Sequence, residues 1–353
     1  MADSATPVTR YLLQSLIAVI PPFTTLEPYR DSNLNNWRKT GSYHLLNSSK
    51  NSITLAASNP REYAAALFAD AQHLMNHVAE HRAHLINSVS TGNEPSPTWT
   101  FVTIYYMALF AAMAWTRAAN QSVIYLDTDA IKEFCGGSSI KPGGGAFVLT
   151  AEENSNSGQF EIHIVKYKSH FHEAVWAKSM DEANSAYNWI SAATSSRAAS
   201  SEELLHMRAL NLFRKTRFKS GSAWPSQLRN ALNYRPGHGY RSILKNNHLK
   251  IGSRLKKSSF PHLSDLITYG ERALNNFGTN KDPTEVSNDA IDLLVTYGMI
   301  FEKYTEQALD EICKIQNISS SAKSQRAKFN KANCQDPETI LKRFRPRIVF
   351  YIK

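Results

Sequence analysis

From Trp99 to Thr116 the chain passes eighteen residues, WTFVTIYYMALFAAMAWT, without one charged side chain. A helix of that length approaches what a bilayer needs. The run nevertheless holds three threonines, the adjacent pair Tyr105 and Tyr106, and many alanines. It is also the only such run. It therefore reads as a central helix buried on most of its faces, with no membrane involved. A helix of this kind needs other helices around it, which sets the class as mostly α.

The remaining segments supply those neighbours. Pro60 to Val89 reads as a helix, with Ser58 or Asn59 as cap, Pro60 in the first turn and Glu62 in the favourable acidic position. Leu67, Ala71, Leu74, Val78, Leu85 and Val89 recur at helical spacing and mark its buried stripe. Further helices are expected near Met180 to Ala193, after a capping box of Ser200 with Glu203, from Trp224 to Tyr234, from Phe260 to Phe277 and from Pro283 to Ile315. AFVLTA (146–151) and QFEIHIVKYK (159–168) alternate as strands around an NSNSG turn, a hairpin inserted into a helical protein. The glycine-dense GGSSIKPGGG before it matches neither a Walker loop nor a dinucleotide fingerprint and reads as a loop.

Three regions result. Residues 1–59 form an N-terminal segment, with one short helix near 8–19 and then irregular structure. Its apolar run, Tyr11 to Phe23, lacks a small-residue cleavage site and is not read as a signal peptide. Residues 60–315 form a helical domain with the hairpin insertion at about 136–170. Residues 316–353 form a basic extension that ends in a short strand, RPRIVFYIK. Three widely spaced cysteines, Cys135, Cys313 and Cys334, fit a reducing compartment.

Charge narrows the function. The net charge of +10 is local. Residues 204–264 hold 13 basic and no acidic side chains, whereas 265–313 hold 3 and 10, and the tail 314–353 holds 10 and 2. A polyanionic partner, RNA or another nucleic acid, suits such segments, and a merely solvated basic face is the competing reading. At the centre lies RNALNYRPGHGYR, Arg229 to Arg241. On a short helix Arg229, Asn233 and Tyr234 lie one turn apart. Arginine's planar fork suits phosphate, and histidine titrates near neutrality. RNA cleavage without metal needs a base for the 2′-hydroxyl, a cation for the phosphate and an acid for the leaving oxygen. The other reading packs Tyr234 and Tyr240 in the core and leaves the arginines in solvent.

The helical pair 60–119, with IYYMALFAA, followed by a later short helix carrying Arg229-Asn230, resembles the HEPN superfamily. The aromatic helix and the Arg-rich helix also resemble YaaC-like bacterial proteins. The HEPN resemblance implies a helical bundle, frequent dimerisation and metal-independent ribonuclease activity in toxins, antiviral defence and RNA processing. The family motif is an Arg, a polar residue and then a His four to six positions on. Arg229-Asn230 matches its first half. Tyr234 stands where the nearest His would be, and His238 lies further along. Spacing alone is also met by Arg241 to His248 and by Arg38 to His44.

Other constellations compete. His73, His77, His81 and His84 fall within an arc of about 80° on the 60–89 helix, at 100° per residue, and Asp70 joins them. Paired His at i, i+4 can chelate zinc, but four on one helix cannot reach one ion, so no metal is assigned. His170 and His172 are two apart, on one side of a strand if the second strand of the hairpin extends so far. The tail interleaves Phe329 and Phe344 with Lys and Arg, which suits backbone binding with some stacking.

The expectation is thus a mostly α, HEPN-like helical bundle with an inserted β-hairpin and a short C-terminal strand. It is RNA-directed and cytoplasmic, an endoribonuclease without cofactor, acting as a homodimer or within a protein complex. Arg229, Asn230, His238 and Tyr234 are its catalytic candidates. Arg235, Tyr240, Arg241, Lys245, Arg254, Lys256 and Lys257 would contact the nucleic acid. A noncatalytic binding or scaffolding subunit of a defence complex is the alternative.

Overall fold

The computed structural model describes residues 5–17, 33–90, 97–168, 170–216, 221–234, 262–277 and 288–315. The basic extension 316–353 and its expected strand lie outside the described residues. The architecture is mostly helical around one antiparallel sheet. The helices are α1 (Pro7–Ile17), α2 (Leu34–Thr40), α3 (Pro60–Ser90), α4 (Pro97–Ala118), α5 (Thr128–Cys135), α6 (Phe171–Thr194), α7 (Ser201–Lys215), α8 (Trp224–Tyr234), α9 (Leu263–Phe277) and α10 (Asn288–Ile315). The strands are β1 (Tyr43–Ser48), β2 (Ser52–Ala57), β3 (Ser122–Leu126), β4 (Gly145–Asn154) and β5 (Gln159–Lys168).

The uncharged run forms α4, and it is a core helix. Among the described residues it is the one helix long and apolar enough to cross a membrane, yet it is largely enclosed by protein. Helices α3, α6 and α10 all pack on it. Phe101, Ile104, Tyr105, Ala108, Ala111 and Trp115 are buried. α3 runs antiparallel to α4: its Asp70 meets Arg117 near the end of α4, while His77 stacks on Phe110 two turns back. α10 runs in the same direction as α4, since Gly298 touches Ala108, and Phe301 and Tyr304 pack against the Trp115 ring. The small residues explain the closeness. A Cβ at Gly298 would come within 2.9 Å of the Ala108 Cα.

The expected apolar stripe of α3 is buried from Leu67 through Leu85, and Asn59 caps the helix, its Oδ1 accepting from the Arg61 amide at 3.2 Å. The capping box of α7 closes in both directions, Glu203 N–H to Ser200 Oγ at 3.2 Å and Ser200 N–H to Glu203 Oε2 at 2.8 Å. α6 starts earlier than expected, at Phe171, because FHEAVW reads locally as a continuing strand.

The hairpin 145–168 is not a lone insertion. It belongs to a five-stranded antiparallel sheet of order β1-β2-β5-β4-β3. β1 and β2 come from the segment expected to be irregular after its first helix. Ile53, Leu55 and Ala57 supply the buried alternation there, diluted by Ser, Asn and Thr around them. One sheet face, with Leu55, Phe147, Leu149, Ile162 and Ile164, packs under Trp37, Tyr63, Leu67 and Phe134 from α2, α3 and α5. The other face joins the helical core through Val123, Ala146 and Val148. Glycine-dense 136–144 caps α5 at Gly136 and leads into β4.

Two consequences are measurable. Gly298→Ala overpacks the α4–α10 contact, which costs about 1–3 kcal/mol against a helix-propensity gain of about 1 kcal/mol. Chemical denaturation should show a net loss, larger for Gly298→Val. His206, buried with Nδ1 2.8 Å from the Tyr304 hydroxyl, has its pKa lowered to about 4 by burial, with the Lys303 charge adding. The unfolded chain then binds more protons between about pH 6.5 and pH 4. The stability from neutral His206 is complete above that window and lost as pH falls through it, with a slope of at most ~1.4 kcal/mol per pH unit. In denaturation at several pH values, His206→Phe should lack that component.

Candidate functional site

Arg229 lies on α8, whose first turn is anchored by the fully buried Trp224. The helix rests on α4 and α6, and this packing carries Arg229 to the half-exposed side of α4. Its Nη2 donates to the Tyr106 hydroxyl at 3.1 Å, and its Nη1 donates to Asn230 Oδ1 at 3.1 Å. The guanidinium carbon lies 6.0 Å from the Tyr105 ring centroid and 5.9 Å from that of Tyr106, within cation–π range. Asn230 is thus placed to orient the arginine.

A histidine meets this arginine, but it comes from α6. His172 sits in the first turn of that helix, and its Nδ1 lies 3.0 Å from the Tyr105 hydroxyl. Trp176, one turn on, donates its indole N–H to the same hydroxyl at 3.3 Å. Burial lowers the pKa of His172, and the nearby Arg229 charge lowers it further. The ring is therefore neutral at neutral pH, able to accept a proton. The Tyr105 oxygen accepts from Trp176 and can give to or take from Nδ1, so Nε2 of His172 can serve as acceptor or donor. Burial pushes the Tyr105 pKa up to about 12, while its hydrogen bonds to Trp176 and Ser226 and the charge of Arg229 pull the other way. Tyr105 thus stays protonated and holds the imidazole in place.

These groups line an open cleft of about 370 Å³ whose wall includes Tyr106, His170, His172, Glu173, Arg229 and Asn230. His170 is the exposed N-cap residue of α6. The two histidines therefore stand at the start of a helix, not on an extension of β5, which ends at Lys168.

Of the residues expected from sequence, Arg229 and Asn230 stand together in the cleft. Tyr234 closes α8, and its side chain lies outside the described residues. His238, His248, Arg235, Tyr240, Arg241, Lys245, Arg254, Lys256 and Lys257 also lie outside them. Arg38, from the other spacing match, is held by Glu133 and is remote in the fold, beside α5. Spacing does not single out Tyr105, Tyr106 or His172. The adjacent tyrosines in an uncharged helix are visible in the sequence, but nothing local ties them to α8.

The histidine ladder does not assemble a metal site. Among the described residues no three His, Cys, Asp or Glu side chains gather to hold an ion. Asp70 is taken by Arg117. His77 and His81 pack on Phe110 instead, with centroids 5.0 and 5.4 Å away.

No family model, curated protein or solved structure matches the chain. Replacing Arg229 with Gln should raise the His172 pKa, leaving it still below the ordinary histidine value because burial persists. Imidazole chemical shifts followed over pH by NMR measure this, and an unmoved titration would separate Arg229 from the ring in solution.

Proposed function

We propose that the chain is a nucleic-acid-directed protein of HEPN-like character, acting as a metal-independent endoribonuclease in the cleft of Arg229 and His172. The observation that carries this reading is the convergence of the Arg229 guanidinium, the neutral His172 imidazole and the Tyr106 phenol on one open cleft, with the buried Tyr105 hydroxyl holding the imidazole from behind. Those are the parts that transesterification of RNA requires. Arg229 pairs with the nonbridging phosphate oxygens and offsets the charge that grows on the pentavalent phosphorus. His172 Nε2 takes the proton from the 2′-hydroxyl as that oxygen attacks phosphorus. Tyr106, whose oxygen accepts from Arg229, keeps its own proton to give to the departing 5′-oxygen. The products are a 2′,3′-cyclic phosphate end and a 5′-hydroxyl end. In this reading His172 takes the role that spacing suggests for His238, and Asn230 fixes Arg229.

The acid-free segment that continues from α8 supports a polyanionic partner. Assembly as a homodimer or within a toxin or antiviral complex belongs to the same reading. A second reading, binding without turnover, is favoured by the half-buried position of His172, since the protonation of the leaving oxygen then leans on a tyrosine.

Purified protein incubated with single-stranded RNA in EDTA decides between them. Cleavage is expected, with His172→Ala and Arg229→Ala each lowering kcat/KM by about 10²-fold or more. Absence of cleavage, or cleavage indifferent to both substitutions, removes the nuclease and leaves the binding module.

A further inference from the structure

Among its described residues, α4 shows one stripe at its surface. Thr103, Tyr106, Phe110 and Met113 are half-exposed at spacings of three and four, and Trp99, 68% exposed, opens the row. Every other position described between Thr100 and Ala118, apart from Val102, is buried. The stripe is about 20 Å long at 1.5 Å per residue, and its aromatic rings pass into one another. His77 lies stacked on Phe110 with centroids 5.0 Å apart. His81 meets the same ring edge-on at 5.4 Å. Phe110 neighbours Tyr106 at 6.1 Å, and Tyr106 neighbours His172 at 6.1 Å. A path of rings therefore runs from the histidine ladder of α3 down α4 into the cleft beside Arg229.

We propose that this path is a stacking platform for the unpaired bases of a single-stranded RNA whose phosphate enters the cleft. The inference rests on the cleft reading above and adds to it the class of substrate. Three features favour this occupant. The rings are flat, half-exposed and sequence-tolerant partners for bases. The platform ends at a guanidinium, so base stacking and phosphate pairing are offered side by side. The charge that follows α8 in the chain is wholly basic, complementary to a polyanion and not to a purely apolar partner. Bases locked in a duplex cannot splay onto such rings, so a double strand gains only the charge. At the ladder end of the path Glu80 stands beside His77; its carboxylate disfavours phosphate there and leaves the rings to the bases, while the phosphate is drawn to Arg229 at the other end.

The test separates binding from cleavage by using a fully 2′-O-methylated oligonucleotide, which has no 2′-hydroxyl to attack phosphorus. Fluorescence anisotropy at one fixed salt concentration compares this single strand with its duplex. The single strand should bind at least about tenfold tighter. Phe110→Leu, which keeps an apolar side chain but removes the ring, and His77→Ala, at a position 53% exposed in its side chain, should each weaken the single strand about tenfold. Duplex binding should stay unchanged for His77→Ala, with only the small drop in melting temperature that losing its stack on Phe110 entails. Equal affinity for both forms, or single-strand binding unmoved by His77→Ala, overturns the proposal. So does a change from dimer to monomer in Phe110→Leu with binding intact, which would assign the stripe to a second copy of the chain. If the methylated strand binds as expected while unmodified RNA stays whole, the platform stands and the nuclease reading falls alone.

Discussion

The enclosure of α4 is the interaction on which the molecule depends. A helix without charge over eighteen residues has almost no face that tolerates water, so α3, α6 and α10 must all reach it. Small residues make that reach possible. Ala108 against Gly298 lets two helices running the same way approach to backbone contact, and their aligned dipoles gain nothing from that direction. Packing holds them. Arg117, the first charge after the run, is itself buried and is neutralised by Asp70. The main surface left to α4 is the narrow stripe that leads to Arg229.

Much of this is legible in the sequence because it is written in local periodicity. The apolar stripe of α3, the capping box of Ser200 and Glu203, and the Trp224 start of α8 all follow from short-range rules that tertiary contacts reinforce. The sheet is legible only in the β4–β5 hairpin. Those two strands alternate clearly, whereas β2 hides Ile53 and Leu55 among small polar residues, and β3 is five residues of SVIYL. Such strands owe their state to partners across the sheet, and no window along the chain contains those partners. α5 escapes notice for the same reason, being eight residues that gain their stability by covering the sheet with Ile131 and Phe134.

The cleft is half legible. Arg229 and Asn230 stand out because charge and polarity are local properties. His172 does not, because its role comes from packing: its neighbours in sequence look like the tail of a strand, whereas α6 has already begun. Tyr105 and Tyr106 look like ordinary core aromatics, and Tyr105 is indeed fully buried. What distinguishes them is the polar end of each ring, which meets a histidine in one case and an arginine in the other. Burial supplies the electrostatics. It keeps Tyr105 protonated and His172 neutral, which a solvated pair would not maintain so firmly.

The separations in the chain have a temporal meaning. The hydroxyl of Tyr105 and the ring of His172 come from residues 67 apart, and Tyr106 and Arg229 are 123 apart. The polypeptide up to the end of the sheet contains the two phenols and neither of their partners. During synthesis from the N-terminus, α3, the sheet and α6 can associate before α8 exists. The guanidinium is therefore the last of these groups to be synthesised, and a nascent chain that ends before α8 carries both phenols and the imidazole without it.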